Sequence, residues 1–215
     1  MNKTFDKRLQ ANFTMQIIGM TGSGKTYLTR KIIENAPTLI NPPVQRIIYA
    51  YGEWQEMFEH MEGVEFVRGI SDSVVSRENL QGQRTLLILD DVSDEISEKL
   101  IGSLFIKMAH HRDISVIFLS NALFSKELRN YRLIATNTMY YIIFRSSRDH
   151  GSVTTLAKQM FGTQYKSMLR AYEAAVSPKY GYLFIDLKSD TPPELRLRTN
   201  ILPDETTICY VIKDG

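Results

Sequence analysis

The sequence has little that would tie it to an oxidising compartment or to a bilayer. Of its 215 residues only Cys209 is a cysteine, which excludes an internal disulfide and a thiolate cluster for zinc, so we expect Cys209 to be a buried strand residue. The fully apolar runs are only strand-sized and no basic-then-apolar leader is present, which predicts neither a membrane span nor a secretory signal. We therefore expect an intracellular protein.

The chain also lacks a stretch that resembles a linker between independent domains, and it has no internal repeat or low-complexity tract. Apolar residues make up 43% of the sequence, and a chain of this length and composition can bury one substantial core. We predict one α/β domain that spans residues 1–215.

The net charge of +2 conceals an uneven distribution. Residues 107–198 contain 14 Lys or Arg against 7 Asp or Glu, whereas the remainder contains 12 against 17. The basic excess suits a phosphate backbone as partner, although solvated surface charge explains it equally well. The acidic series Glu53, Glu56, Glu59, Glu62 and Glu65 indicates the solvent-facing side of an amphipathic helix over 53–61.

What the sequence does contain is a glycine-rich octapeptide, Gly19-Met20-Thr21-Gly22-Ser23-Gly24-Lys25-Thr26, which fits the phosphate-binding pattern G-x-x-x-x-G-K-[ST]. A buried strand is predicted before it over 13–18, and apolar residues recur at helical spacing after it. The glycines permit a tight turn whose N–H groups face phosphates, Lys25 supplies a cation, and the Thr26 hydroxyl can ligate Mg²⁺. The predicted nucleotide-binding residues are Gly19, Met20, Thr21, Gly22, Ser23, Gly24, Lys25, Thr26 and Tyr27.

A second motif is the apolar run over 85–89 that ends in Asp90-Asp91. This pattern is typical of a central parallel strand that presents carboxylates at its carboxyl end. Asp90 is the predicted Mg²⁺ ligand, and Asp91 is the candidate for orienting and deprotonating an attacking water. The alternative for Asp91 is a cap of the following helix, a role that Asp94 or Glu95 could also take.

Polar residues follow two further predicted strands. The strand over 115–119 is followed by Asn121; in P-loop proteins with a dedicated catalytic carboxylate, a strand between the phosphate-loop strand and the Asp-bearing strand ends in a polar residue near the γ-phosphate. Asn121 is the candidate for that residue, and its alternative is an ordinary turn residue. Arg145 and Arg148 follow the strand over 139–144, and either guanidinium could act across a subunit interface, pair with Asp149 or contact a phosphate backbone.

The remaining elements are predicted from apolar periodicity. Strands are expected over 46–50, 64–67, 181–186, 194–198 and 208–212, and helices over 96–108, 126–134, 152–161 and 164–175. The polar stretch over 71–83 is compatible with a helix or with a surface connection.

Several of these stretches together resemble the poxvirus A32-like genome-packaging ATPases of the FtsK–HerA superfamily, especially the short versions in Polinton-like and adintovirus-like viruses. The similar stretches are 19–26, 86–92, 110–119, 137–149, 156–161, 181–186 and 195–203. The predicted fold is accordingly a RecA/ASCE-like P-loop NTPase, a three-layer α/β sandwich with a mostly parallel central sheet and extra C-terminal strands.

The resemblance implies an ATP-driven motor that threads double-stranded DNA into a preformed capsid. It implies a homo-oligomeric ring with sites between subunits, capsid vertex or portal proteins as partners, and a place in the infected host cell or the virion. Family roles carry over to Lys25 and Thr26 for phosphate and Mg²⁺, to Asp90 for the metal, to Asp91 for water activation and to Arg148 for the Asn/Pro-Arg-Asp-like element.

The chain departs from the family pattern at two places. Asn121-Ala122 stands where the family usually has Gln then Asn, and Ser146-Ser147 replaces the usual residues before Arg148. Two other classes remain open, a nucleoside or nucleotide kinase and a nucleotide-switched, non-catalytic assembly protein. A GTPase is disfavoured because no Asn-Lys-x-Asp segment occurs, and a preference for adenine follows from the resemblance alone.

Overall fold

A computed structural model describes residues 5–92, 97–108, 113–123, 131–146 and 150–212. The strands within these ranges are β1 (Leu9–Gln10), β2 (Thr14–Ile18), β3 (Ile40–Asn41), β4 (Arg46–Tyr51), β5 (Val64–Arg68), β6 (Thr85–Asp90), β7 (Ile114–Ser120), β8 (Tyr140–Phe144), β9 (Tyr182–Asp186), β10 (Leu197–Thr199) and β11 (Ile208–Cys209).

The helices in the same ranges are α1 (Lys25–Glu34), α2 (Ala36–Leu39), α3 (Arg77–Leu80), α4 (Glu98–Ser103), α5 (Tyr131–Thr136), α6 (His150–Phe161) and α7 (Tyr165–Ala175). A π-helical turn over Leu104–Met108 continues α4, and short 3₁₀ segments occupy Glu56–His60, Gly162–Gln164 and Pro193–Leu195. None of these helices combines the length and the apolar character that a bilayer crossing requires.

The main sheet has the spatial order β11-β10-β9-β8-β2-β7-β6-β4-β5. All neighbours from β8 to β5 pair in parallel, whereas β9, β10 and β11 extend the sheet with antiparallel pairings. β7 lies between β2 and β6, as the register pairs Gln16↔Phe118 and Ile88↔Ile117 record. Both the intervening strand and the extra C-terminal strands are thereby confirmed. A separate two-stranded sheet pairs β1 with β3.

Helices cover both faces of the sheet because consecutive strand side chains point in opposite directions. Leu86 and Ile88 of β6 belong to a buried cluster that includes Ile32 of α1. Leu87 of the same strand belongs to a cluster with Leu100 of α4, and α6 and α7 cover β8 and β9 on that same face. The predicted three-layer α/β sandwich is confirmed; that the chain is one domain stays a prediction.

The helix predicted over 53–61 is wrong in type and length, because only the 3₁₀ segment Glu56–His60 forms there. Its glutamates are exposed as expected. Its aromatic residues, however, pack at the sheet edge: the Phe58 ring stacks on Phe66 of β5 with centroids 5.0 Å apart, and Trp54 lies 5.5 Å from the same ring. The rings at positions 54 and 58 have the spacing of a helix face, but they pack against Phe66 without a regular helix.

Other boundaries differ by a few residues. The stretch 71–83 contains α3, which begins after Ser76, whose Oγ accepts a hydrogen bond from the backbone N–H of Asn79 at 3.2 Å. β9 and β10 pair as predicted, but β10 begins only after the 3₁₀ segment Pro193–Leu195. The last strand stops at Cys209, which is half-buried rather than buried.

Parts of the predicted helices over 96–108 and 126–134 lie outside the described residues, as do Asp94, Glu95 and Arg148. What the structure describes of the first is α4 with its π-helical turn, and α5 begins within the second.

The extra strands carry a buried ion pair. Arg198 of β10 donates to Asp186 of β9 across 3.0 Å, and the two side chains are 3% and 2% exposed. Burial raises the pKa of Asp186, which the charge of Arg198 opposes. Removing one partner of such a pair leaves an uncompensated buried charge, so each residue depends on the other.

We expect Arg198→Met to lower the free energy of unfolding by roughly 3–5 kcal/mol, because Asp186 would lose its partner in the interior. Arg30→Met is the matched control: it removes a half-exposed pair with Glu34, 2.7 Å long, and should cost about 0.5 kcal/mol or less. Chemical denaturation measures both values. Equal effects of the two substitutions would contradict the assignment.

Candidate nucleotide-binding site

The loop that joins β2 to α1 requires glycine at three positions. Gly22 and Gly24 have φ angles of +78° and +106°, in the left-handed region that glycine adopts without steric cost. A Cβ atom on Gly19 would lie 2.8 Å from Cβ of Phe144 on β8, so the loop leaves the sheet against its neighbouring strand only without a side chain there. The helix α1 begins directly after Gly24, which gives the strand-loop-helix arrangement in which backbone N–H groups can face an anion.

Lys25, the first residue of α1, folds back over this loop. Its Nζ donates to the carbonyl oxygens of Gly19 at 2.5 Å and Met20 at 3.3 Å, and to Oδ1 of Asn121 at 2.9 Å. Burial lowers the pKa of Lys25, and the carboxyl groups of Asp90 and Asp91 oppose that shift. The three acceptors are uncharged, so the ammonium is suited to exchange them for an anion.

Asp90 ends β6 as a buried carboxyl group with 8% exposure. Its Oδ2 accepts a hydrogen bond from the Tyr49 hydroxyl of β4 at 2.7 Å. Burial raises the pKa of Asp90, and the Tyr49 hydrogen bond and the charge of Lys25 oppose that rise. Tyr49 fixes one carboxylate oxygen and leaves the other available for a ligand.

Asp91 lies at the surface immediately after β6, with a left-handed φ of +56°. The end of β4 packs tightly here: the Gly52 N–H donates to the carbonyl oxygen of Asp90 at 3.0 Å, and a Cβ on Gly52 would overlap the carbonyl oxygen of Asp91. Ser97, not Asp91, caps α4, because its Oγ accepts from the N–H of Leu100 at 3.1 Å. The alternative role of Asp91 as the cap of α4 is therefore excluded.

Asn121 follows β7 and faces the loop. The N–H of Gly19 donates to the carbonyl oxygen of Ser120 at 3.1 Å, which holds the end of β7 against the start of the loop. The Asn121 side chain then reaches Lys25. A residue in that position does more than complete a turn, because its amide contacts the cation of the glycine loop.

These residues surround one cleft of about 890 Å³, within the usual size of a small-ligand site. The predicted residues that line it are Thr21, Gly22, Gly24, Lys25, Thr26, Tyr27, Asp90, Asp91 and Asn121. Gly19, Met20 and Ser23 shape the loop behind it, where the Ser23 N–H donates to the Met20 carbonyl oxygen at 3.0 Å. The fold therefore brings nine of the predicted residues to one cleft; their roles in binding and hydrolysis stay predictions.

Thr26 and Asp90 line the same cleft and offer a hydroxyl and a carboxylate oxygen. Mg²⁺ prefers oxygen ligands and is commonly held by one or two protein oxygens together with substrate phosphates. The donor set fits that ion, and Tyr49 supplies the hydrogen bond that orients the carboxylate. Such outer contacts typically matter for metal affinity.

Of the two candidate arginines, Arg145 is exposed in the segment directly after β8. It therefore lies at the same sheet edge as the glycine loop, since β8 pairs in parallel with β2. Arg148 lies outside the described residues.

Two tyrosines of the site were not predicted from the sequence. In the sequence, Tyr49 is indistinguishable from the apolar residues of a buried strand. The one feature that could have indicated its role is the hydroxyl group, which needs a hydrogen-bond partner when it is buried. Tyr180 lines the cleft from the turn before β9 and is 59% exposed. The only sequence feature that could have indicated it is an aromatic residue within the turn-forming stretch Pro178-Lys179-Tyr180-Gly181, which lies far along the chain from either motif.

The fold and cleft together define a P-loop NTPase fold. A genome packaging NTPase, B204 of Sulfolobus turreted icosahedral virus 2, has a similar structure. Its complex with ATP-gammaS matches 97% of this chain and 100% of its own at 14% identity, with a TM-score of 0.53. Its complex with sulfate matches 86% and 95% at 15% identity, with a TM-score of 0.53.

At that identity the likeness establishes the fold. No protein-family model and no curated protein matches the sequence.

We expect Asp90→Asn to raise the free energy of unfolding of the nucleotide-free protein at neutral pH by roughly 0.5–2 kcal/mol, because it removes a buried negative charge that is retained for function at a cost in stability. The pKa of Asp90 is higher folded than unfolded, so ionisation destabilises the fold. That penalty grows as the pH rises from the unfolded towards the folded pKa and is complete above it. Denaturation from pH 4 to pH 8 measures the gain, which should increase with pH.

Asp72→Asn, at an exposed position after β5, is the control and should leave the stability unchanged. An Asp90→Asn variant that is less stable than the wild type at pH 8 would contradict the burial argument.

Proposed function

We propose that this chain is an ATP-driven double-stranded DNA translocase that packages a viral genome into a preformed capsid. It works in the infected cell as a homo-oligomeric ring, docked on a capsid vertex or portal. One observation carries the catalytic part of the proposal: Lys25, Asp90, Asp91 and Asn121 converge on one cleft from three adjacent parallel strands. The cation, the metal ligand, the base and the polar sensor of ATP hydrolysis are thus supplied together.

In the proposed reaction, ATP places its phosphates over the glycine loop, and Lys25 exchanges its carbonyl and amide acceptors for phosphate oxygens. Asp90 and Thr26 would hold Mg²⁺, which neutralises charge on the phosphates. Asp91 aligns a water and accepts its proton as the water oxygen bonds to the γ-phosphorus. The bond from that phosphorus to the β–γ bridging oxygen breaks, giving ADP and inorganic phosphate.

The exposed position of Asp91 supports this role. A water-activating carboxylate must be reachable by solvent and lie beside the reacting phosphate, whereas a metal ligand is better buried and oriented. Asp91 lies at the surface of the cleft and Asp90 beneath it. The paired carboxylates therefore have separate environments suited to separate tasks.

The charge distribution supports assembly of the chain into a head-to-tail ring. Exposed basic residues cluster on and after the α6–α7 pair, which covers β8 and β9; they are Lys158, Lys166, Arg170 and Lys179. Five exposed glutamates, Glu53, Glu56, Glu59, Glu62 and Glu65, lie at the other end of the sheet beside β5, and one, Glu173, lies among the basic residues on α7. A head-to-tail ring joins two different surfaces of each subunit, and opposite charge at the two ends favours that contact over self-association of like surfaces.

The fold likeness supports the packaging assignment, because the similar B204 structures are of a viral genome packaging NTPase with ATP-gammaS or AMPPCP bound. We assign adenine nucleotide as the fuel on that ground and on the sequence resemblance. The trans-acting guanidinium is Arg148 or Arg145, each of which follows β8.

Asp91→Asn tests the catalytic assignment. We expect ATP turnover to fall roughly 10²- to 10⁴-fold, the usual contribution of a general base, while ATP affinity is nearly unchanged because Asp91 does not hold the phosphates. Phosphate release measures turnover and calorimetry measures binding. Asp72→Asn is the matched control outside the cleft.

Two outcomes would replace the proposal. Unaltered biological function of Asp91→Asn would favour a nucleotide-switched assembly protein. Transfer of the γ-phosphate to a nucleoside instead of water would favour a kinase, and product analysis with candidate nucleosides detects it.

Duplex DNA tests the motor. We expect DNA of any sequence to stimulate ATP turnover at low salt under oligomer-forming conditions, and the stimulation to weaken as salt rises, since contacts to backbone phosphates release counterions. Turnover is measured as a function of DNA and salt concentration for two duplexes of unrelated sequence. Turnover that is independent of DNA would remove the translocase from consideration while leaving the ATPase intact.

A further inference from the structure

Tyr180 is a large aromatic side chain with 59% exposure at the rim of the cleft. Its backbone has a left-handed φ of +62°, which is uncommon for a bulky residue. Unfavourable backbone conformations of this kind persist where the surrounding structure imposes them, and they concentrate at functional sites. Tyr180 therefore combines solvent exposure with an unfavourable backbone conformation at the rim of the cleft.

The chain around Tyr180 is firmly held. The N–H of Gly181 donates to the carbonyl oxygen of Pro178 at 2.9 Å, and a Cβ on Gly181 would overlap the carbonyl oxygen of Ala175. The turn is therefore packed against the end of α7. Tyr172 of α7 in turn donates its hydroxyl to the carbonyl oxygen of Phe144 at 3.1 Å. An exposed ring is thus carried on a fixed backbone.

The ring lies against the glycine loop itself. A Cβ built on Gly24 would lie 3.4 Å from Cδ1 of Tyr180, an ordinary van der Waals distance, and 3.5 Å from Cε1 of Phe144. Tyr180 therefore flanks the residue that immediately precedes Lys25. The Lys179 ammonium lies 5.0 Å from the centroid of the Tyr180 ring and adds a positive charge at the same rim.

The sheet order gives the site a direction. Asp90 ends β6, Asp91 follows it and Asn121 follows β7, so all three lie on one side of the β2 loop. β9 lies on the other side of β2, beyond β8, and runs antiparallel to β8, so its beginning reaches the same sheet edge. The groups suited to the terminal phosphate and the Tyr180 ring consequently lie on opposite sides of the glycine loop.

We propose that Tyr180 is the nucleoside-binding residue of this site, on which the base of a bound nucleoside triphosphate stacks. The triphosphate crosses the glycine loop with its terminal phosphate towards Asp90 and Asn121 and its nucleoside towards β9. This inference rests on the proposed nucleotide-binding function. Because every base has a π-face, Tyr180 supplies affinity for purine nucleotides in general and does not select adenine over guanine.

The test compares the affinities of wild type, Tyr180→Ala and Tyr180→Phe for ATP, GTP and inorganic tripolyphosphate, measured by calorimetry on the full chain. We expect Tyr180→Ala to weaken ATP and GTP binding by a similar factor, roughly ten-fold, as expected for loss of one base–aromatic stack. Tripolyphosphate has no base, so its affinity should not change. Tyr180→Phe keeps the ring and should bind all three ligands like the wild type.

Other results would overturn the inference. Equal affinity of Tyr180→Ala and wild type for ATP would show that the ring carries no stack, and an effect of Tyr27→Ala alone would assign it to the other exposed aromatic residue of the cleft. If Tyr180→Ala loses affinity for tripolyphosphate as well as for ATP, Tyr180 stabilises the conformation of the glycine loop and does not stack on the base. A wild-type protein that binds neither ATP nor tripolyphosphate would instead remove the proposed function. Thermal unfolding of each variant confirms that it is folded.

Discussion

Parallel pairing of β2 with β7 on one side and β8 on the other is the constraint on which the rest of the structure depends. Parallel strands end at a common edge, so this pairing brings the glycine loop, Asn121 and Arg145 together although they are separated by up to 126 positions along the chain. The pairing of β6 with β7 adds Asp90 and Asp91. The cleft is therefore a product of strand order together with the conformation of the glycine loop after β2.

Burial at this edge acts on both signs of charge. Partial removal from water lowers the pKa of Lys25 and raises that of Asp90, so each ionised group is less well solvated than at the surface. Neutral oxygens of the loop and Asn121 contact the first, and the Tyr49 hydroxyl contacts the second. A polyphosphate with its cation offers both groups an opposite charge, which is the physical reason that such a ligand suits this cleft.

The sequence predicted the parts of the site that lie next to a strand end in a recognisable motif. Lys25 was found from the glycine-rich pattern, and Asp90 and Asn121 were found because apolar runs locate parallel strands, whose carboxyl ends meet at a common edge. Tyr49 and Tyr180 were not found, because a strand-interior hydroxyl and an aromatic turn residue acquire their roles only from tertiary packing. The helix over 53–61 was predicted wrongly for a related reason. Trp54 and Phe58 are spaced as on a helix, but that spacing comes from the packing of both rings against Phe66.

The Tyr172 hydroxyl makes two bonds to the chain just after β8, accepting from the N–H of Ser146 at 3.0 Å and donating to the carbonyl oxygen of Phe144 at 3.1 Å. Arg145 lies between those two residues, and the helix that carries Tyr172 leads directly into the turn that carries Tyr180. The segment that contains Arg145 and the turn that contains Tyr180 are consequently both attached to α7. A displacement of α7 would therefore move the segment of Arg145 and the turn of Tyr180 together.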